Sequence, residues 1–427
     1  MRALWMISAV FQKSFYSLLV RPSNNFAVLD GLRAMSILWV ICSHIIFLGP
    51  SGYLEDDGLE FMYENTGLFY AFWLNGFYGV DCFFVLSGLL ISNIIFREID
   101  KTGTLNLESF YIRRILRLSP ALIVVALFSY FSRLPNYENI LYNIFYLNNF
   151  LPLSENVIGH TWSLSVEEQF YIAFAIFMFF SRNSKHILLS IIALLVIAVL
   201  VRFGIVLYFW KSIAVQLYDL GNAYSDSSEN YIELVYFKPY TRYGGFLFGV
   251  LAMYLYRYHH DLLGRVVDSW AGKAAVYISI MIILSVAFSN LYVPSERPSD
   301  LVLFVYHCFI GYLFSAALSI VMLVLLMRSD TLRTIHWGLS HRVLYPIAQL
   351  AYSLYLTHPL IIDMVTIPVV TKMSGIIWPD SSEDHVVWPL VNLSVTLFIG
   401  TFVATLMYVV VEKPFMDLRN IFLKNDK

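Results

Sequence analysis

Residues 29–48 read LDGLRAMSILWVICSHIIFL, an apolar stretch that carries an arginine and a histidine, Arg33 and His44. Eleven positions at about 100° each make roughly three helical turns, so the two side chains share one helix face, on the order of 16 Å apart along the axis. Ionisable groups inside a membrane are costly and usually functional. The pair therefore indicates a polar path across a membrane. Alternatively, Arg33 extends to the membrane interface and His44 hydrogen-bonds to a neighbouring helix.

The composition of the whole chain is typical of a membrane protein. Of its 427 residues, 59% are hydrophobic and 14% are charged, whereas soluble domains are about half apolar and a quarter charged. We predict an all-α polytopic membrane protein with about ten transmembrane helices. The predicted spans are 32–49, 71–96, 118–132, 162–180, 186–208, 239–256, 274–290, 301–327, 343–370 and 389–411.

The distribution of positive charge orients these spans. With the N-terminus in the cytoplasm, 20 of the 28 lysines and arginines fall in cytoplasmic segments and five in outer loops. Such an excess marks the cytoplasmic side, so we expect both termini in the cytoplasm. We divide the chain into a cytoplasmic or interfacial segment (1–31), a membrane domain (32–411) and a cytoplasmic tail (412–427). Residues 137–145 are predicted to form an amphipathic surface helix.

Several functional classes find no support in the sequence. The net charge is -2 without a basic tail, so we expect no nucleic-acid partner. The three cysteines lie far apart in apolar segments, a pattern that indicates neither a disulfide framework nor a zinc site. No phosphate-binding glycine loop and no nucleophile elbow occur. We therefore expect no metal and no soluble-enzyme motif.

A basic cluster lies at the predicted cytoplasmic edge of the third span, in ESFYIRRILRLSP (108–120). Arg114 and Arg117 are three positions apart and project together from a helix. The planar guanidinium group donates hydrogen bonds in a geometry that fits phosphate. Together with Arg33 at the same membrane level, these residues suggest a phosphate-rich cytoplasmic ligand. The alternative is a basic anchor at the membrane surface.

Polar side chains also crowd the outer end of the fourth span, in GHTWSLSVEEQFY (159–171). Trp162, Ser165, Glu168 and Gln169 are candidates for substrate binding or support. Two adjacent carboxylates, at Glu167 and Glu168, point about 100° apart, so only one need face the interior. A helix cap with an interfacial tryptophan explains the serines and the tryptophan equally well. It explains a buried Glu-Glu-Gln run poorly.

Two more residues are candidates for substrate binding or support. His358 precedes Pro359 in AYSLYLTHPL (351–360), and the proline lacks an amide proton, so it frees a carbonyl one turn back. A histidine hydrogen-bonded within the helix bundle is an equal alternative. Arg242, in YTRYGGFLFG (240–249), could bind an anion or pair with a carboxylate such as Glu167.

Taken together, these motifs resemble the acyltransferase-3 family of integral membrane O-acyltransferases, which acetylate bacterial polysaccharides. The resemblance covers nearly the whole chain. It rests on seven segments in the expected order: LDGLRAMSILWVICSH (29–44), YGVDCFFVLSGLLIS (78–92), SFYIRRILRLSPAL (109–122), HTWSLSVEEQFY (160–171), YTRYGGFLFG (240–249), AYSLYLTHPL (351–360) and VVVEKPF (409–415).

The resemblance implies a cytoplasmic acyl-CoA donor, most commonly acetyl-CoA, and a hydroxyl of a cell-surface or lipid-linked glycan as acceptor. It implies His44 as the catalytic histidine, Arg33, Arg114 and Arg117 as donor-binding residues, and Glu167 as the family's acidic position. The setting it implies is the bacterial inner membrane, among membrane lipids. Many members carry a C-terminal hydrolase-like domain, which we do not expect here.

We expect His44, oriented by a carboxylate such as Glu167, to deprotonate the acceptor hydroxyl. A covalent acyl-histidine relay is the open alternative. A proton-coupled exporter of a sugar or lipid-linked intermediate would also use intramembrane ionisable residues, but it gives no reason for the arginine cluster. The sequence leaves the acceptor, the acyl group and the oligomeric state open.

Overall fold

The computed structural model describes residues 2–22, 26–48, 64, 67–182, 184–217, 232–291, 298–377 and 384–422. Within these ranges all regular structure is helical. The α-helices are α1 (Arg2–Leu19), α2 (Ala27–Phe47), α3 (Leu68–Leu74), α4 (Tyr78–Thr102), α5 (Leu107–Phe131), α6 (Ile140–Ile144), α7 (Trp162–Ser181), α8 (Ile187–Leu217), α9 (Pro239–Tyr258), α10 (His260–Asp268), α11 (Trp270–Ala287), α12 (Asp300–Met327), α13 (Arg333–Leu339), α14 (Leu344–Ile361), α15 (Ile367–Ile377), α16 (Asp384–Met407) and α17 (Lys413–Phe422).

Nine helices within the described ranges are long and apolar enough to cross a membrane. They overlap nine of the ten predicted spans, which confirms the all-α membrane architecture. The remaining predicted span, 239–256, coincides with α9, which is not one of the nine. Its sequence includes Arg242 and Arg257, and these charges lower its mean hydropathy. The count of ten spans and the orientation of the termini stay predictions.

A short turn fixes where α4 ends and α5 begins. Gly103 ends α4 in the left-handed conformation, with φ +74°, which glycine adopts without steric cost. The Asn106 side chain then caps α5 by accepting a hydrogen bond of 2.9 Å from the Ser109 amide. Because this turn sets the phase of α5, it also sets the direction in which Arg114 and Arg117 project.

Helices α4 and α9 pack closely because a glycine on each meets the backbone of the other. A methyl group added to Gly88 would lie 2.0 Å from the Phe246 carbonyl oxygen, and one added to Gly249 would lie 2.1 Å from the Val85 oxygen. Small residues at such crossings let membrane helices approach and gain van der Waals contact. Although α9 is less apolar than its neighbours, it is therefore an integral part of the bundle.

Helices α2 and α14 run side by side in the same direction. Gly31, near the start of α2, lies against the Leu339 carbonyl just before α14 begins. At the other end, the ring of His44 meets the ring of His358. The two helices thus carry polar groups from one end of the bundle to a common point deep inside it.

The predicted surface helix at 137–145 is shorter and differently oriented than expected. A 3-10 turn at Tyr137–Asn139 leads into α6. Asn143, predicted to lie on a solvated polar face, is buried and donates hydrogen bonds to Thr161 Oγ1 (2.9 Å) and the Ile158 carbonyl (3.1 Å). The polar face packs on the loop before α7, while Leu141 and Phe145 are exposed.

The first and last described helices lie together at one end of the bundle. Lys13 of α1 forms an ion pair of 3.2 Å with Asp417 of α17. Ser17 Oγ lies 3.2 Å from the Tyr408 hydroxyl, in the π-helical turn Tyr408–Glu412 that joins α16 to α17. Such turns are frequent at functional sites, and this one carries the buried carboxyl of Glu412.

Candidate active site

A cavity of about 610 Å³ lies between α2, α4, α5, α7, α14 and the turn at Tyr408–Glu412. Its lining begins with Asp30 and Arg33 at the start of α2 and extends inward to Ser163 and Tyr355. The volume is within the ordinary range for small-molecule sites. The cavity therefore begins at Arg33 and extends in the direction of the end of α2 that carries His44.

Four arginines line this cavity: Arg33, Arg97, Arg114 and Arg117. Arg33 lies 3.9 Å from Asp30, whose carboxylate is also 3.2 Å from Arg21. Arg97, Arg114 and Arg117 form no ion pair with any residue in the described part of the chain. Guanidinium groups that face a cavity without carboxylate partners make it suitable for an anion.

The three arginines of the 108–120 cluster differ in their surroundings. Arg114 lies over the ring of Tyr171, with its guanidinium carbon 4.3 Å from the ring centroid. Arg117 is exposed although it lies within a spanning helix, and the surface it presents is the cavity wall. Arg113, one position before Arg114, instead pairs with Glu98 at 3.0 Å. The cluster thus divides into two arginines that face the cavity and one that does not.

Two carboxyl groups on the cavity wall are held by hydroxyl donors. Glu167 accepts hydrogen bonds from Ser87 Oγ at 2.5 Å and from the hydroxyl of Tyr171. Glu412 accepts one from Ser353. Since Tyr171 also carries Arg114 on its ring, Glu167 fixes part of the arginine cluster through this tyrosine.

Three histidine rings lie together beyond the inner end of the cavity. The ring centroid of His44 is 4.8 Å from that of His358 and 6.5 Å from that of His160, and the last two are 5.6 Å apart. His160 is at the turn before α7, so three separate segments meet here. We call these three residues the histidine cluster. None of them lines the cavity as the described residues define it.

Hydrogen bonds fix the protonated nitrogen in two of these rings. Nδ1 of His44 lies 3.0 Å from the Val40 carbonyl oxygen, and Nδ1 of His358 lies 2.9 Å from that of Leu354. A carbonyl oxygen only accepts, so each Nδ1 donates and each Nε2 keeps its lone pair. Nε2 of His358 is buried without a hydrogen-bond partner in the described chain. Such a group calls for a partner that the fold does not supply.

Tyr355 stands between the cavity and the histidine cluster. One side of this residue lines the cavity, and its ring is 5.5 Å from that of His160 and 5.8 Å from that of His358. Its hydroxyl lies 2.6 Å from Ser163 Oγ and 2.7 Å from the His160 carbonyl oxygen. These hydrogen bonds hold the ring across the passage.

Comparison with known proteins assigns this architecture. A family model described as an acyltransferase domain, that of acyltransferase-3, matches residues 26–411. The chain belongs to the acyltransferase-3 family. The matched residues include the four cavity arginines, the histidine cluster and Tyr355, so the family match covers most of the site.

Two relatives of this acyltransferase-3 chain carry names that describe an activity. A peptidoglycan O-acetyltransferase, OatA, of Listeria monocytogenes is 28% identical over 424 residues, which are 93% of this chain and 59% of the relative. An O-acetyltransferase OatA of Staphylococcus aureus is 32% identical over 171 residues, 36% of this chain and 24% of the relative. The chain thus spans less than two thirds of either relative. No solved structure matches it.

Several predicted site residues of this acyltransferase-3 chain hold the wall of the site rather than face the cavity. Ser165 donates to Asn148 Oδ1 at 2.6 Å, and Gln169 donates to the Tyr146 carbonyl at 2.8 Å. Both bonds attach the loop before α7 to that helix. The Trp162 ring stacks on Phe237, with centroids 5.0 Å apart.

Arg242 pairs with a carboxylate, as one alternative suggested, but the partner is not Glu167. The sequence suggested an ion pair with a carboxylate such as Glu167, but Arg242 pairs with Asp81 at 3.0 Å, and both side chains are buried. The close approach of α4 and α9 at Gly88 and Gly249 places Asp81 next to Arg242. The Glu167 carboxylate instead accepts hydrogen bonds from the hydroxyl groups of Ser87 and Tyr171. Asp81 lies in the segment 78–92, which contributed to the family resemblance only through its place in the order of the seven segments. No sequence feature linked Asp81 to Arg242.

The expected contact between His44 and Glu167 also does not occur among the described residues. The hydrogen bond of His44 goes to the Val40 carbonyl, one turn earlier in its own helix. The carboxylate of Glu167 is occupied by Ser87 and Tyr171 on the cavity side of Tyr355. The imidazole of His44 is therefore oriented by a backbone carbonyl group. No sequence motif identifies a backbone carbonyl as a hydrogen-bond partner.

Sequence reasoning missed the site roles of Arg97 and Tyr355, and it did not single out His160 as a partner of His44. Arg97 was counted only as a cytoplasmic charge, although its place at the end of the second predicted span was a usable signal. Tyr355 lies three positions before His358 and so shares its helix face. That spacing could have identified it.

Proposed function

We propose that this chain is a membrane O-acyltransferase that moves an acyl group, acetyl in the first instance, from acyl-CoA to a glycan hydroxyl. The observation that carries the proposal is the arginine-lined cavity that ends, through Tyr355, at three clustered histidines. An anion site joined to a general base is what this reaction requires. The family match and the names of the relatives support it.

In this proposal the arginines bind the donor. CoA is a polyphosphate, and Arg33, Arg114 and Arg117 present guanidinium groups to the cavity. Glu167 is a positioning residue, because it holds the ring of Tyr171 on which Arg114 lies. The narrow pantetheine arm then extends inward past Ser163 to place the thioester at Tyr355.

His44 acts as the base. Its Nε2 takes the proton of the acceptor hydroxyl, and the hydroxyl oxygen attacks the acyl carbon. The carbon–sulfur bond breaks, and the departing thiolate takes the proton back from His44 to give free CoA. The Val40 carbonyl keeps Nδ1 protonated, so Nε2 is the nitrogen available for this step. In the acyl-histidine variant, Nε2 attacks the acyl carbon first and CoA leaves as its thiolate. The acceptor hydroxyl then attacks the acyl-histidine, the bond to Nε2 breaks, and the hydroxyl proton passes to the thiolate.

The name of the Listeria relative suggests a cell-envelope polysaccharide as acceptor. We propose such a glycan or its lipid-linked precursor, reached from the histidine end of the site. The bias of positive charge supports a cytoplasmic position for the arginine end, where acyl-CoA is made. The location that follows is the plasma membrane of a bacterium.

The test is acetyl transfer by the purified protein in nanodiscs, from radiolabelled acetyl-CoA to an N-acetylglucosamine–N-acetylmuramic acid disaccharide. We expect His44→Ala to abolish transfer while the protein stays folded, because removal of a general base alone costs about 10²–10⁴-fold. His186→Ala is the matched control, since His186 is exposed and far from the cavity lining. Transfer by His44→Ala at the rate of this control would contradict the proposal.

A further inference from the structure

A second cavity, of about 420 Å³, adjoins the first at the arginine end of the bundle. It is lined by Phe26, Asn93, Arg97, Tyr256, Arg257 and His260. Phe26, Asn93 and Arg97 line both cavities, so the two spaces lie side by side. The proposed donor path described so far uses only the first of them.

The lining of the second cavity is basic and carries no carboxylate. Arg97 has no ion-pair partner among the described residues. Arg257 donates a hydrogen bond of 2.6 Å from Nε to Asp100, which leaves the two terminal nitrogens of the guanidinium group available. His260 is exposed at the start of α10. Two guanidinium groups and an imidazole around one space favour a phosphate group.

The same cavity has an aromatic wall. The rings of Phe26 and Tyr256 meet edge to face, with centroids 6.4 Å apart and an interplanar angle of 83°. The ring of Tyr256 meets that of His260 at 5.3 Å and 81°. Aromatic faces of this kind stack on a nucleobase, and Asn93 offers an amide that both donates and accepts hydrogen bonds.

We propose that the second cavity binds the 3′-phosphoadenosine part of the acyl-CoA donor. This rests on the proposed function. The adenine packs against Phe26 and Tyr256, and the 3′-phosphate binds Arg257 and His260. Arg97, on the wall between the two cavities, binds the diphosphate. An aromatic wall the size of a nucleobase, a separate phosphate site and a position next to the first cavity together fit this ligand, whereas a lipid headgroup would use only the charge.

The test compares CoA with 3′-dephospho-CoA, which differs only in the 3′-phosphate. Binding is measured by calorimetry on the protein in phosphatidylcholine nanodiscs. We expect CoA to bind the wild type about tenfold more tightly, the effect of one charge-assisted phosphate contact. His260→Ala and Arg257→Ala should weaken CoA binding by about that factor and leave 3′-dephospho-CoA binding unchanged. Arg265→Ala, an exposed arginine on α10 outside both cavities, is the control.

Two outcomes would overturn the assignment while sparing the proposed function. One is equal affinity for CoA and 3′-dephospho-CoA in a wild type that binds acetyl-CoA. The other is loss of the 3′-phosphate preference when phosphatidylglycerol is added to the nanodiscs, which would assign the basic cavity to a lipid headgroup. Failure of acetyl-CoA itself to bind the wild type would overturn the proposed function, and this assignment with it.

Discussion

Single residues in this chain have roles that their type alone does not decide. Arg113 and Arg117 carry the same charge on the same helix, yet Arg113 pairs with Glu98 and Arg117 faces the cavity. The sequence identified the whole cluster as basic and chose Arg114 and Arg117 by spacing. The choice among neighbours depends on Glu98, which also accepts a hydrogen bond of 2.8 Å from the Asn106 amide beyond the turn at Gly103.

This difference makes Arg117 and Arg113 a matched pair for experiment. Arg117→Ala should raise the KM for acetyl-CoA by about tenfold or more, because one charge-assisted phosphate contact is lost, with a smaller effect on kcat. Arg113→Ala removes the same charge and should leave KM near that of the wild type. Steady-state kinetics in nanodiscs measure both. Equal effects from the two variants would mean that bulk surface charge, rather than a bound phosphate, attracts the donor.

Residues that meet across the fold were the least predictable. Arg242 and Asp81 form a buried pair between positions 161 residues apart, and His44, His160 and His358 converge from three segments. A hydropathy pattern gives each helix its bounds and cannot give its neighbours. The individual histidines were visible in the sequence, whereas their contacts required the fold.

At the level of whole helices, the α4–α9 crossing depends on the absence of side chains at Gly88 and Gly249. Gly88→Ala would place a methyl group 2.0 Å from the Phe246 oxygen, so the helices must separate. We expect a loss of about 1–3 kcal/mol in the free energy of unfolding, as for other overpacked sites, and a lower Tm in detergent.

Gly204→Ala is the control for this substitution. Gly204 is also within a spanning helix, but a methyl group there meets nothing within 4 Å, so Tm should stay the same or rise, since alanine favours the helix. An unchanged Tm for Gly88→Ala would show that the two helices are not in close contact. The sequence pattern predicted α9 as a span, and it did not predict that glycines bring α9 into close contact with α4.

Over the whole molecule, the direction of the helices bears on how many of them cross the membrane. Both α5 and α14 begin at the arginine end of the cavity, as Arg117 on its lining and the contact of Leu339, just before α14, with Gly31 show. Between those two starts the chain passes through α5, α7, α8, α9, α11 and α12. The chain returns to the same side only if α9 is one of the crossings, so we expect ten spans.

Cysteine labelling in cells tests this expectation. The native Cys42, Cys82 and Cys308 are buried, so a membrane-impermeant maleimide should react mainly with introduced cysteines. Glu108→Cys, at the start of α5, and His341→Cys, just before α14, should both be protected in intact cells and labelled after permeabilisation. Glu138→Cys, at the opposite end of α5, should be labelled in intact cells. Labelling of Glu108→Cys and His341→Cys from opposite sides would exclude α9 as a crossing.

Tyr355, whose ring separates the donor cavity from the histidine cluster, has a consequence for timing. A thioester kept beside an unshielded base and water would be hydrolysed during every interval in which no acceptor was present. With the ring between them, the donor-bound enzyme of the proposed reaction is protected from hydrolysis of its thioester until an acceptor binds. Transfer in the proposed reaction then requires the Tyr355 ring to move, which adds a conformational step between donor binding and acyl transfer.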